Sequence, residues 1–175
     1  YEVCTEWRNA VLDEVESQRP DVVIVGNSAT YDFNAVQWIE GSARIFERLS
    51  KAASYVLVIP GTPALGFDGP GCVARNINNN VQINTELCSS TNQMQDIYPI
   101  TSYLQQAVDR YENVHVLDLN QLVCPDEICR AITEDGVVVF RDGQHLTDSF
   151  VRYLAPKIRS LMGAATKGDV FLENQ

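Results

Sequence analysis

Positive charge is scarce in this sequence: 13 Lys and Arg stand against 23 Asp and Glu, for a formal net charge of −10 at pH 7. That balance argues against binding to a phosphate backbone, which needs clustered Lys and Arg. No apolar run approaches the roughly 20 residues of a membrane span. The glycine-rich stretch from Gly66 to Gly71 lacks the Gly-Lys-Ser/Thr ending of a phosphate loop. No paired Cys-x-x-Cys is present, no His lies near the cysteines, and no internal repeat or domain linker is visible. The chain opens on Tyr1, which begins neither a signal peptide nor a complete reading frame, so it reads as a processed or truncated piece. Histidine is scarcer still. Only two occur in 175 residues, His115 and His145.

What is present is a 45% hydrophobic fraction, enough for a substantial core, on a length that fits one domain. Five cysteines point to an oxidising compartment. Cys124 and Cys129 enclose Pro-Asp-Glu-Ile, a spacing that can close a small disulfide loop. Cys72 and Cys88 flank the polar segment from Asn76 to Thr85, which needs a clamp if it is to be ordered. Cys4 is then left without a partner. Metal ligation and free buried thiols are the competing readings, and disulfides are favoured over both.

Helices and strands alternate along the chain. Trp7, Val11, Leu12 and Val15 make a helical stripe between Cys4 and Gln18, stopped by Pro20. Asp21-Val22-Val23-Ile24-Val25 and Tyr55-Val56-Leu57-Val58-Ile59 read as buried strands. Between them, Val36 to Ala53 is predicted helical, with Ile39, Ile45, Phe46 and Leu49 inward. A long loop follows Pro60, rich first in Gly and Pro and then in Asn. Asp96 to Glu112 is predicted to be a helix, Val114 to Leu119 a third strand and Val137 to Phe140 a fourth. Asp148 to Met162 is predicted to close the fold with a helix kinked at Pro156, leaving a loose tail from Gly163 to Gln175. This order implies a parallel sheet with helices on both faces, in which sites gather at the carboxyl ends of strands.

Asp142-Gly143-Gln144-His145 lies between that fourth strand and the final helix, for which Thr147 is the expected cap. A carboxylate three residues before an imidazole, on one tight loop, makes a base ready for a nucleophile. A structural hydrogen bond at the approach to a helix is an equally good account of the spacing alone. Gly26-Asn27-Ser28, just after the first strand, falls in a position to join Asp142 and His145 if all share one sheet. As a lone tripeptide it would simply turn the chain. His115 alternates with Val114 and Val116 and is expected to do nothing chemical. Asp118 is expected to cap a turn, and Trp7 and Trp38 to pack rather than bind sugar.

In order and spacing these residues resemble the SGNH (GDSL-like) hydrolases, and in particular the SGNH domains fused behind bacterial acyltransferase-3 membrane modules. The resemblance is carried by Cys4-x-x-Trp7-Arg8, Pro20 to Val25, Val58-Ile59-Pro60 with the later Cys72, Val116 to Leu119, the Cys124 and Cys129 pair, and Asp142 to Thr147. It covers most of the chain's length and implies that residues 1–175 form one domain. It implies a three-layer α/β/α fold of flavodoxin-like type with a mostly parallel sheet. It also implies transfer or hydrolysis of O-acyl groups, usually acetyl, on cell-envelope glycans. No metal or organic cofactor is implied.

The family's nucleophilic Ser sits in a Gly-Asp-Ser motif on a strand preceding the Cys-x-x-Trp-Arg helix. This chain starts at that helix, so the resemblance implies an N-terminally incomplete domain lacking its first strand. Gly26 and Asn27 then correspond to the oxyanion block. The alternative is that Ser28 is a variant nucleophile. Catalytic roles fall to His145 as base and Asp142 as its orienting partner. The implied setting is periplasmic or cell-surface, tethered through an upstream transmembrane region. The implied partners are a glycan or other acyl acceptor and a membrane module supplying the acyl donor, with no nucleic acid. A non-catalytic glycan-binding domain of the same fold and a simple carbohydrate esterase are the rival readings.

Overall fold

The computed structural model describes residues 2–78, 85–91, 93 and 97–170. In chain order the elements are α1 (Glu2–Gln18), β1 (Val22–Gly26), α2 (Ala35–Ala52), β2 (Tyr55–Ile59), α3 (Gly69–Asn78), β3 (Ser89–Thr91), α4 (Ile97–Val108), β4 (Val114–Val116), α5 (Asn120–Val123), β5 (Ile128–Arg130) and α6 (Asp148–Ala165). They fall into two compact units. The first comprises Tyr1–Pro60, Pro99–Leu117 and Ser160–Gln175, the second Gly61–Tyr98 and Asp118–Arg159.

The first unit is built on a parallel sheet in the order β1-β2-β4. Val56 and Val58 on β2 pack with Phe46 and Leu49 of α2, Leu12 of α1 and Leu104 of α4. Leu57 points to the other face by strand alternation. It too is fully buried, so the central strand is covered on both sides. This is the expected α/β architecture. α2 starts at a capping box, Asn34 accepting from the Gln37 N–H and Gln37 accepting from the Asn34 N–H, each at 3.0 Å. Arg48 of α2 grips Asp13 and Glu16 of α1 at 2.6 and 2.5 Å.

The α1 stripe is only partly used. Leu12 is buried, but Trp7 is 68% exposed and Val11 41%. Helical periodicity selects a face without supplying something to cover it, so the expectation that Trp7 packs is corrected. Trp38 does pack, buried against the same core.

The second unit is stapled by both expected disulfides. Cys72–Cys88 joins α3 to the turn before β3, with Cα atoms 5.9 Å apart, and Cys124–Cys129 closes the short loop between α5 and β5 at 4.3 Å. Cys4, in α1, is free and exposed. β3 and β5 pair antiparallel. The second core gathers around Leu65, Phe140, Phe150 and the buried Cys124, Cys129 and Cys88.

Two expectations fail here. Residues 137–140 add no strand to the parallel sheet. They make two isolated antiparallel bridges, Ile132 with Val138 and Phe140 with Leu146. A four-residue apolar run states that it is buried, not which strand it pairs with. The region after Pro60 is also not all loop, because α3 begins where Asp68 accepts the Gly71 N–H at 3.0 Å, with Pro70 in the first turn. Residues 79–84 of the Asn-rich segment lie outside the described residues.

α6 runs three residues past the predicted end. Beyond it, the buried Thr166 hydroxyl donates to the Met162 carbonyl at 3.0 Å, and the Tyr55 hydroxyl donates to Asp169. The expected loose tail is therefore folded as far as these contacts reach, while 171–175 lie outside the described residues. Among the described residues, no helix is long and apolar enough to cross a membrane.

Candidate active site

The loop carrying Asp142 is closed by its own backbone. The Arg141 N–H donates to the His145 carbonyl, and the Thr147 N–H to the Val139 carbonyl, each at 2.9 Å. Thr147 then caps α6, its hydroxyl accepting the Phe150 N–H at 3.1 Å. Within this closed turn, Asp142 Oδ1 accepts the N–H groups of Gln144 and His145, both at 2.8 Å. Oδ2 lies 2.8 Å from His145 Nδ1.

These contacts hold the Asp142 carboxyl well below the usual carboxylate range. The His145 backbone N–H contributes most, then that of Gln144, then the imidazole. An ionised carboxylate only accepts, so Nδ1 carries the shared hydrogen and Nε2 is left as the acceptor. The imidazole is 64% exposed. It is thus held in the tautomer a general base requires, with its working nitrogen unencumbered.

Gly143 explains the second residue of the motif. Its carbonyl accepts the Leu65 N–H at 2.8 Å, and a Cβ here would lie 3.3 Å from the Phe67 carbonyl oxygen. The loop therefore rests directly on the 65–67 backbone. Beside it opens a cavity of about 380 Å³ lined by Ala64, Phe67, Asp68, Asp142 and Gln144 among others. The part played by residues 64–68 was not anticipated from sequence. Gly66, with φ of +82°, was the available signal of a specific turn there.

The other candidates lie in the first unit, at the carboxyl end of β1. Asn27 donates twice to the Ile59 carbonyl at the end of β2, through its backbone N–H at 3.1 Å and its side-chain amide at 3.2 Å. One amide hydrogen is committed, and the second is fixed in direction by the first. Ser28 Oγ is 2.8 Å from Thr30 Oγ1 and also accepts the Thr30 N–H at 3.4 Å. At Gly26 an added Cβ would meet nothing within 4 Å, so the strand end is open. A cavity of about 430 Å³ here is lined by Gly26, Asn27, Ser28, Tyr31, Phe33 and Trp38. The pair Asp142 and His145 is assembled within one unit, and Gly26, Asn27 and Ser28 within the other.

Asp118 Oδ1 accepts the Asn120 N–H at 2.9 Å, a turn cap. His115 sits on β4 with Nε2 buried and without a partner, and burial pushes its pKa down.

The profile of the family described as "SGNH domain (fused to AT3 domains)" matches residues 1–160. The chain belongs to this family. Among solved structures, the SGNH chain resembles the periplasmic domain of a lipopolysaccharide acetyltransferase from Salmonella ser. Paratyphi A. The TM-score is 0.61 at 15% sequence identity, over 86% of this chain and 61% of that one. The likeness is one of fold, and the present chain spans less than two thirds of that structure's length. No curated protein matches the chain. The two disulfides fit a protein that folds outside the cytoplasm.

Proposed function

We propose that this SGNH domain moves an O-acyl group, acetyl in the first instance, to or from a hydroxyl of a cell-envelope glycan. The observation that carries the reading is the 2.8 Å contact between Asp142 Oδ2 and His145 Nδ1, with Nε2 of the exposed ring left to act. His145 removes the proton from a serine hydroxyl as its Oγ attacks the acyl carbonyl. Asp142 orients the ring and stabilises the imidazolium that forms. The resemblance gives Asn27 and the backbone N–H at Gly26 the part of receiving the negative charge on the tetrahedral oxygen. His145 then returns the proton to the leaving group. The acyl-enzyme passes its acyl to a sugar hydroxyl, or to water if the domain works as an esterase.

Asn27 is assigned to the oxyanion because its amide is held in direction by Ile59, whereas the Ser28 hydroxyl is occupied with Thr30. The nucleophile is then a serine other than Ser28, the part that the resemblance gives to a Gly-Asp-Ser motif. Ser28 is the alternative. The acyl donor is proposed to come from a membrane acyltransferase module in the same protein, on the outer side of the membrane.

A serine-directed fluorophosphonate, followed by peptide mapping, tests this on the full-length protein. Labelling of a serine other than Ser28, lost in His145→Ala, is the expected result. Labelling of Ser28 itself would make Ser28 the nucleophile. No labelling, together with no cleavage of an activated acetyl ester, would leave a non-catalytic glycan-binding domain as the better account.

A further inference from the structure

Between the end of β1 and the start of α2 the chain holds two aromatic rings in the open. Tyr31 and Phe33 stack with centroids 5.6 Å apart and planes 17° from parallel, yet they are 58% and 50% exposed. Phe33 is anchored edge-on against the buried Trp38, at 5.8 Å and 71°. The loop is fixed at both ends, by the Ser28–Thr30 hydroxyl pair and by the Asn34 capping box. In between, the Phe33 N–H donates to the Tyr31 carbonyl at 2.9 Å. Leaving two large rings half in water forgoes hydrophobic burial that would stabilise the fold. A braced loop that keeps them there is built to present them.

We propose that Tyr31 and Phe33 form a stacking platform for a neutral pyranose ring, seated in the cavity that also contains Gly26, Asn27 and Ser28. A pyranose has a face of C–H bonds and a rim of hydroxyls. The C–H face matches the electron-rich face of an aromatic ring, and the rim needs donors and acceptors alongside. The loop supplies them in the paired hydroxyls of Ser28 and Thr30, one of whose two hydrogens stays free, and Gly26 leaves space at the strand end. An acyl chain would call for an enclosed apolar groove instead. From Asn27 to Asn34 the loop carries the carboxylate Asp32 and no basic residue, which disfavours an anionic sugar. That this ring is the acyl acceptor rests on the function proposed above. The platform itself does not.

The test is saturation-transfer NMR on the full-length protein with cellotriose, maltotriose and mannotriose, and with trigalacturonate as the anionic contrast. Saturation of aromatic protons should pass to the C–H protons of at least one neutral trisaccharide and not to trigalacturonate. Tyr31→Ala and Phe33→Ala should each weaken binding by about tenfold, while the ring-retaining Tyr31→Phe and Phe33→Tyr keep it. Absence of transfer to all three neutral sugars at millimolar concentration would overturn the platform. So would binding undiminished in the Tyr31→Ala, Phe33→Ala double variant, or preferential binding of trigalacturonate. Because turnover is not needed, sugar binding without any ester cleavage would leave the platform standing and sink the catalytic reading. Ester cleavage without sugar binding would do the reverse.

Discussion

Asp142 holds His145 by two different atoms: Oδ1 takes the backbone N–H and Oδ2 faces Nδ1, both at 2.8 Å. Backbone and ring are thus positioned by one carboxylate. Asp142→Asn would keep an oxygen for the backbone N–H groups but offer neither the charge nor a reliable acceptor to Nδ1. The imidazole should then swap tautomers, visible as a change in its nitrogen-15 shifts. Acyl transfer should fall by about 10³–10⁴-fold. An unchanged tautomer with unchanged turnover would count against the base assignment.

The same contacts predict an acid-resistant carboxylate. The folded-state pKa of Asp142 lies below the unfolded value, so its stabilising contribution is present above about pH 3.9 and is lost only as the pH falls through the folded value. A carbon-13 titration of the carboxyl should place its midpoint below the usual Asp range. Gly143→Ala, which presses on the Phe67 carbonyl, should move that midpoint upward by loosening the turn.

What was legible in the sequence was mostly local. The Asp142–His145 pair spans four residues, so its geometry follows from one turn and the helix cap at Thr147. β1, β2 and α2 announce themselves through unbroken apolar runs or a clear stripe. The disulfides were readable because each spacing suited one bridge and a fifth cysteine remained. What failed needed long-range knowledge. Val137 to Phe140 is apolar wherever it pairs, and its antiparallel bridges to Ile132 and Leu146 are set by the fold of the second unit. α3 was hidden by its glycines and asparagines, although the Asp68 cap and Pro70 were there to be read. Tyr31 and Phe33 were overlooked because two aromatics in a loop look like stray core residues until both are found exposed and stacked.

The Cys72–Cys88 bridge closes a loop of 16 residues in the second unit. Breaking it should restore loop entropy to the unfolded chain and cost about 2–5 kcal/mol. The Cys72→Ser, Cys88→Ser variant should show a correspondingly lower midpoint in urea. Non-reducing peptide mapping of the parent should recover Cys72 with Cys88 and Cys124 with Cys129, while Cys4 reacts with a thiol reagent.

His115 makes a separate pH prediction. Burial, and secondarily Lys167, lower its pKa below the ordinary 6.5. The unfolded chain then binds a proton that the folded chain refuses. Stability is complete above about pH 6.5 and declines as the pH falls from there toward the folded value. Unfolding midpoints measured between pH 7.5 and 5 should drop for the parent. They should drop less for His115→Gln, which has no proton to gain.

Asn27 supplies the test that separates its two possible neighbours in mechanism. Its side-chain amide adds one donor to an Ile59 carbonyl already held by the Asn27 backbone N–H. Asn27→Ala should therefore cost only about 1 kcal/mol of stability, and the end of β1 should stay paired to β2. If the remaining amide hydrogen stabilises the oxyanion, kcat should fall by about 10²–10³-fold with KM little changed, because that bond strengthens only as charge develops. Ser28→Ala should leave phosphonate labelling intact if the nucleophile lies elsewhere, and abolish it if Ser28 attacks. A loss of KM alone in Asn27→Ala would instead make the amide a ground-state contact. The oxyanion assignment would then pass to backbone N–H groups, with the Asp142 and His145 chemistry unaffected.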